Sequence, residues 1–99
     1  MEDNIKKIEI VTDYIYLKKL LEKLDAIKVS GYTVLKDVSG KGLRGSKDGH
    51  GVAAGYRNCY IMIACTLEEA QLVADVVKPV LETFGGICLI SDAHWVIHN

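Results

Sequence analysis

Six of the nine glycines fall within one sixteen-residue run, "GKGLRGSKDGHGVAAG", from Gly40 to Gly55. Each glycine inside a helix costs about 1 kcal/mol relative to alanine, and in a strand it offers no side chain to pack. The run is therefore a loop that cuts the 99 residues into two halves. The fold has to be built from what each half can form.

The first half opens on "IKKIEIVT", a β-rich run ending at Thr12-Asp13, two residues suited to capping a helix. From Tyr14 onward, Leu17, Leu20, Leu21 and Leu24 recur at the three-and-four spacing of an amphipathic helix, with Lys18, Lys19, Glu22 and Lys23 between them. Gly31 follows the helix end, and "YTVLKDVS" then supplies the β-branched and aromatic residues of a second strand.

The second half repeats the order. "NCYIMIAC" is a continuous apolar run with polar neighbours, the pattern of a strand covered on both faces. Thr66, with Glu69 three residues later, forms a capping box for a helix whose inner face is Ala70, Val73, Ala74, Val77, Leu81 and Phe84. Pro79 lacks an amide hydrogen and is expected to bend or loosen that helix near its end. Gly85-Gly86 then turns the chain into "ICLISDAHWV", the last strand.

Strand-helix-strand, given twice, predicts an α+β fold: a ferredoxin-like βαββαβ sandwich with a four-stranded antiparallel sheet and both helices on one face. A 99-residue chain fits one domain spanning 1–99, with roughly 60 to 65% of its unfolded surface available for burial. Both helices are used on one face of the sheet, so packing against a second sheet in an oligomer is expected to cover the other.

Composition narrows the function. Apolar residues are 49% and charged residues 25%, and the net charge of -1 gives no general attraction to nucleic acid or membranes. No segment has the length or apolarity of a membrane span or signal peptide, which predicts a cytoplasmic protein without membrane insertion. Cys59, Cys65 and Cys88 lack C-x-x-C spacing and lie in strand-like runs, so they are expected as buried reduced thiols rather than zinc ligands. His94 and His98 are four apart, but in a strand and chain end that spacing does not align them for a metal. Trp95 is expected at a subunit contact.

"GKGLRG" matches G-x-G-x-x-G, yet Gly49 and Gly51 stand where a dinucleotide fingerprint would open a helix, so the match is accidental. A Walker loop fails because Ser46-Lys47 follows Gly45 in the reverse order. Two readings stay open on the residues alone. One is a solvated hairpin with scattered charge. The other is an anion-binding loop, in which glycines let main-chain amides converge while Lys41, Arg44, Lys47 and Arg57 add positive charge.

"VSGYTVLKDVSGKGLRG", the long loop after it, "NCYIMIAC" and "FGGICLISDA" resemble the PII-like signalling proteins, particularly the smaller members linked to bicarbonate uptake and carboxysomes. The resemblance spans about residues 8 to 93. It implies a homotrimer that binds adenine nucleotide in clefts between subunits, at the base of a T-loop at about 40–57. By that resemblance Gly31, Tyr32 and Thr33 lie along the cleft, Gly40, Lys41, Gly42, Arg44 and Gly45 meet the phosphates, and Gly85, Gly86 and Ile87 face the nucleotide. No metal is expected. Bicarbonate is a candidate second ligand, and the T-loop would act on a transporter or enzyme of inorganic carbon or nitrogen metabolism.

The chain also departs from that family. The Y-[KR]-G-[AS]-[AE]-Y motif of the nitrogen-regulating PII proteins is missing, which argues against uridylylation. Their lysine- and glycine-rich segment after the second helix is reduced to Gly85-Gly86, and their carboxy-terminal arginines have no counterpart up to Asn99. Those elements serve the outer phosphates of ATP, so AMP, ADP or cyclic AMP is the expected effector. The paired carboxy-terminal cysteines of some bicarbonate-linked relatives are absent as well. The alternatives are a divalent-cation tolerance (CutA-like) trimer and a small nucleotide or acyl-phosphate hydrolase. No arrangement of Ser, His, Asp or Cys nominates a catalytic base.

Overall fold

The structure is a computed structural model that describes residues 2–41 and 57–99. β1 runs from Glu2 to Asp13, α1 from Leu17 to Ala26, β2 from Thr33 to Val38, β3 from Asn58 to Thr66, α2 from Leu67 to Phe84 and β4 from Ile87 to Trp95. The strands form one sheet in the order β2-β3-β1-β4, and each neighbouring pair is antiparallel. This is the ferredoxin-like arrangement expected from the two strand-helix-strand halves.

Alternation along the two central strands decides which residues meet the helices. Ile8 and Ile10 of β1, and Cys59, Ile61, Ile63 and Cys65 of β3, turn inward and are buried. They form one core with Leu17, Leu20 and Leu24 of α1 and Ala70, Val73, Val77, Val80 and Leu81 of α2. Val80 therefore belongs to the inner face of α2, while Ala74 is half-buried and Phe84 is exposed, contrary to the sequence reading. Phe84 instead stacks on Tyr16, with ring centroids 4.3 Å apart.

One local expectation needs correction. The chain does not pass directly from Asp13 into an α-helix: Tyr14–Tyr16 is a 3-10 turn, with Asp13 accepting the Ile15 amide at 3.0 Å. The Tyr14 amide is held by the Arg57 carbonyl at 3.0 Å, and the Arg57 guanidinium lies 4.1 Å above the Tyr14 ring. Pro79, expected to bend or loosen α2 near its end, lies inside the helix, which continues to Phe84. Both Pro79 and Asp75, whose carbonyl loses its usual donor, are exposed, so water can take the missing partner's place.

The capping box forms as expected. Glu69 donates its amide to the Thr66 hydroxyl at 3.1 Å, and the Glu69 carboxylate accepts the Thr66 amide at 3.2 Å. Cys59 and Cys65 are buried, whereas Cys88 is only half-buried; burial pushes all three thiols above their ordinary range. On the edge of the sheet, Lys6 bonds Asp92 directly opposite on β4, and this hydrogen bond holds the Asp92 carboxyl below the usual carboxylate range.

The opposite face of the sheet carries Leu35, Tyr60, Val11 and Ile87 in one row and Thr33, Met62, Glu9 and Leu89 in the next. Leu35, Ile87 and Leu89 are each more than half exposed, at 53, 55 and 58%. β3 is thus covered on one face only within a protomer, and its half-buried Tyr60, Met62 and Ala64 share the open face. At its centre the Tyr60 hydroxyl donates to Glu9 Oε2 at 2.7 Å, with Lys7 Nζ 3.8 Å from the same oxygen.

Candidate binding site

The site expected from the sequence has three pieces: the entry to β2, the base of the glycine loop, and the glycine turn into β4. Gly31, Tyr32 and Thr33 lead into β2. Gly40 and Lys41 follow its end and are exposed, while Gly42, Arg44 and Gly45, like most of the expected T-loop, lie outside the described residues. Gly85, Gly86 and Ile87 make the turn into β4.

Strand order decides which of these can meet. β2 and β4 occupy opposite edges of the sheet, three strand spacings or about 14 Å apart. The pairing of Leu35 with Tyr60, Tyr60 with Val11 and Val11 with Ile87 puts the end of β2 and the start of β4 at one end of the sheet. Within a single chain the base of the glycine loop and the glycine turn therefore share an end but flank two intervening strands. A second protomer, bringing its β4 edge to this β2 edge, would join the pieces.

The cavities agree. Among the described residues, an open groove of about 660 Å³ runs beside α1 between Tyr14, Lys18, Asp25, Lys36 and Arg57, and a second of about 360 Å³ lies between α2 and β4. Neither is lined by Gly31, Tyr32, Thr33, Gly40 or Lys41; only Gly86 borders one of them.

The glycines divide by physical cause. Gly85 and Gly86 both hold positive φ, at 93° and 133°. A Cβ on Gly86 would stand 2.6 Å from the Val11 carbonyl oxygen and 2.9 Å from Thr12 Cβ. Close approach at this turn is thus made to β1 of the same chain. Thr12 completes the junction: it is 2% exposed, and its hydroxyl donates to the Gly85 carbonyl at 2.8 Å. The sequence reading did not single it out as a partner of that turn. The available signal was its parity, since Thr12 continues the inward-facing series Ile8, Ile10 and a buried hydroxyl needs a partner.

Gly31 and Gly40 are different. Among the described residues a Cβ on either would meet nothing within 4 Å, and neither has a φ in the left-handed range. The described residues give no steric reason for glycine there. Tyr32, between Gly31 and the strand, donates its hydroxyl to Asp25 Oδ1 of α1 at 2.9 Å, which fixes its ring against the helix.

Hydrogen bonding to a carboxylate raises the pKa of both Tyr32 and Tyr60 above the ordinary tyrosine value, through Asp25 and Glu9 respectively. A raised folded-state value means that the stabilisation is present below the ordinary tyrosine pKa and lost as pH rises through the folded value. An alkaline titration followed by tyrosinate absorbance should show a late-ionising fraction that shrinks in Tyr32→Phe and again in Tyr32→Phe/Tyr60→Phe. An unchanged profile would remove the two bonds from the account.

No group of His, Cys, Asp or Glu able to hold a metal occurs among the described residues. The Trp95 and His98 rings stack at 4.0 Å. No helix among the described residues is long and apolar enough to cross a membrane.

Comparison with known proteins brings these features together. The family model for nitrogen regulatory protein P-II matches residues 5–98. Among solved structures, CPII from Thiomonas intermedia K12 bound to ADP and bicarbonate is 27% identical, with a TM-score of 0.74 over 90% of this chain and 85% of that one. The same protein with ADP, AMP and bicarbonate aligns at 24% identity and a TM-score of 0.73, with the same coverage of both chains. The GlnK–ATP complex of B. subtilis is 27% identical, with a TM-score of 0.67 over 90% of this chain and 81% of that one. No curated protein sequence matches the chain.

Proposed function

The chain belongs to the nitrogen regulatory P-II family, and on that premise we propose that it is a regulatory protein whose effector is an adenine nucleotide held between the subunits of a homotrimer. AMP, ADP or cyclic AMP is favoured over ATP, because the family's lysine- and glycine-rich segment after the second helix is reduced here to Gly85-Gly86. The whole chain acts as one domain, in the cytoplasm. Its T-loop, at about 40–57, carries occupancy of the cleft to a target protein, a transporter or enzyme of inorganic carbon or nitrogen metabolism. It works by binding and not by catalysis.

The observation that carries this proposal is the placement of β2 and β4 at opposite edges of one sheet. A ligand touching Gly31 to Thr33, Lys41 and the Gly85-Gly86 turn needs a cleft closed by two copies. Gly31 and Gly40, where an added Cβ would meet nothing within 4 Å among the described residues, suit backbone approach to such a ligand. Lys41 and Arg44 supply the charge-assisted hydrogen bonds to phosphate, each contributing on the order of 1.5 to 3 kcal/mol. The ADP-bound CPII and ATP-bound GlnK structures support nucleotide as the ligand class, and CPII makes bicarbonate the second ligand to test.

Calorimetry with AMP, ADP, ATP and cyclic AMP, with and without bicarbonate, tests the proposal. Lys41→Ala or Arg44→Ala should weaken nucleotide binding by about tenfold or more. Wild-type affinity in both variants would refute the assigned site. Nucleotide consumed over hours would favour the hydrolase alternative, and tight divalent-metal binding without nucleotide affinity the cation-tolerance one.

A further inference from the structure

The segment that enters β2 is held from two helices at once. α1 ends in a turn whose Lys28 has a φ of 60°, a left-handed conformation that non-glycine residues seldom adopt. The Lys28 and Val29 amides return to the Asp25 and Leu24 carbonyls at 3.0 and 3.3 Å. Beyond that turn the Ser30 amide donates to Glu69 Oε2 of α2 at 3.3 Å, and Tyr32 is tied to Asp25 of α1. At Gly31, between these two ties, an added Cβ would meet nothing within 4 Å among the described residues.

Glu69 is thereby a bridge. Its Oε1 closes the capping box with Thr66, while its Oε2 reaches 39 residues back along the chain to Ser30. The capping role needs one carboxylate oxygen only. The second oxygen has a separate consequence: it fixes the peptide immediately before Gly31 relative to the start of α2.

We propose that Glu69 is a positioning residue for the nucleotide cleft, setting the backbone of Gly31 to Thr33 by gripping the Ser30 amide. The proposal rests on the nucleotide-binding function above. It distinguishes Glu69 from an ordinary helix cap, because the effect on binding travels through Ser30 and not through the stability of α2.

Glu69→Ala, Glu69→Gln and Thr66→Ala in the full-length protein separate the two roles. Thr66→Ala removes the hydroxyl from the capping box and leaves the Ser30 bond. It should lower the thermal midpoint while ADP affinity stays within about twofold of wild type. Glu69→Ala should lower the midpoint and also weaken ADP binding by about fivefold, with Glu69→Gln, whose one carbonyl oxygen can accept from only one of the two amides, falling between it and wild type. Without any ligand, the Ser30 amide should exchange its hydrogen several-fold faster in Glu69→Ala than in Thr66→Ala. Equal ADP affinity in Glu69→Ala and wild type, or an equal loss in Thr66→Ala, overturns the positioning role. If wild type binds no nucleotide while the exchange difference persists, the cleft assignment fails and the Ser30 tie survives only as a structural link.

Discussion

Gly86→Ala should lose about 3 kcal/mol or more of folding stability, while Gly31→Ala and Gly40→Ala should stay within about 1 kcal/mol of wild type. The difference follows from geometry. At Gly86 the added methyl meets a β1 carbonyl oxygen at 2.6 Å and Thr12 Cβ at 2.9 Å, and φ is 133°. Neither neighbour can swing aside: the oxygen is main chain of a central strand, and Thr12 is buried and bonded to Gly85. Left-handed strain costs roughly 1 to 2 kcal/mol and overpacking roughly 1 to 3. Against the 5 to 15 kcal/mol typical of a small domain, that is a large fraction. For a chain of this size each 1 kcal/mol corresponds to about 4 to 8 °C, so the thermal midpoint should fall by about 12 °C or more. A Gly86→Ala midpoint near wild type would show that the turn relaxes freely and that its glycines serve another purpose.

The same comparison separates a glycine that the fold needs from glycines for which the described residues show no such need. In the sequence Gly31, Gly40 and Gly86 are the same letter, and resemblance assigned all three to the nucleotide. Only the fold reveals that Gly86 is required by Val11 and Thr12, whereas nothing among the described residues requires glycine at 31 or 40. The elements themselves were legible, because the leucine spacing of α1, the Thr66–Glu69 capping box and the apolar run of β3 are local signals. The edge positions of β2 and β4 were not local. They depend on β1 and β3 pairing at the centre of the sheet, a contact between residues about fifty apart that no short window of sequence reports. The second role of Glu69 escaped for the same reason: its capping partner is three residues away and readable, while Ser30 lies 39 residues away.

The open face of the sheet carries the other large effect. Leu89→Lys should convert the associated protein to single chains at micromolar concentration, with the protomer still folded. Leu89 is 58% exposed in one protomer, so replacing it sacrifices little of the core. Its cross-strand neighbour is Glu9, which would face the new ammonium with an opposite charge. In the assembled state the balance reverses. Leu35, Ile87 and Leu89 need a second apolar surface to leave water, and an ammonium placed among them would lose hydration worth several kcal/mol. Glu9 itself tolerates this environment better than a lone carboxylate would, since its own protomer supplies the Tyr60 hydroxyl and the Lys7 ammonium. Sedimentation should give the mass of three chains for wild type and of one for Leu89→Lys, with matching far-ultraviolet circular dichroism. Because the cleft is proposed to close between two copies, the dissociated variant should also lose nucleotide binding although Lys41, Arg44 and Gly86 are all intact. A Leu89→Lys protein that remains trimeric would move the interface off this face, and one that is monomeric yet binds ADP as wild type does would place the whole site within a single chain.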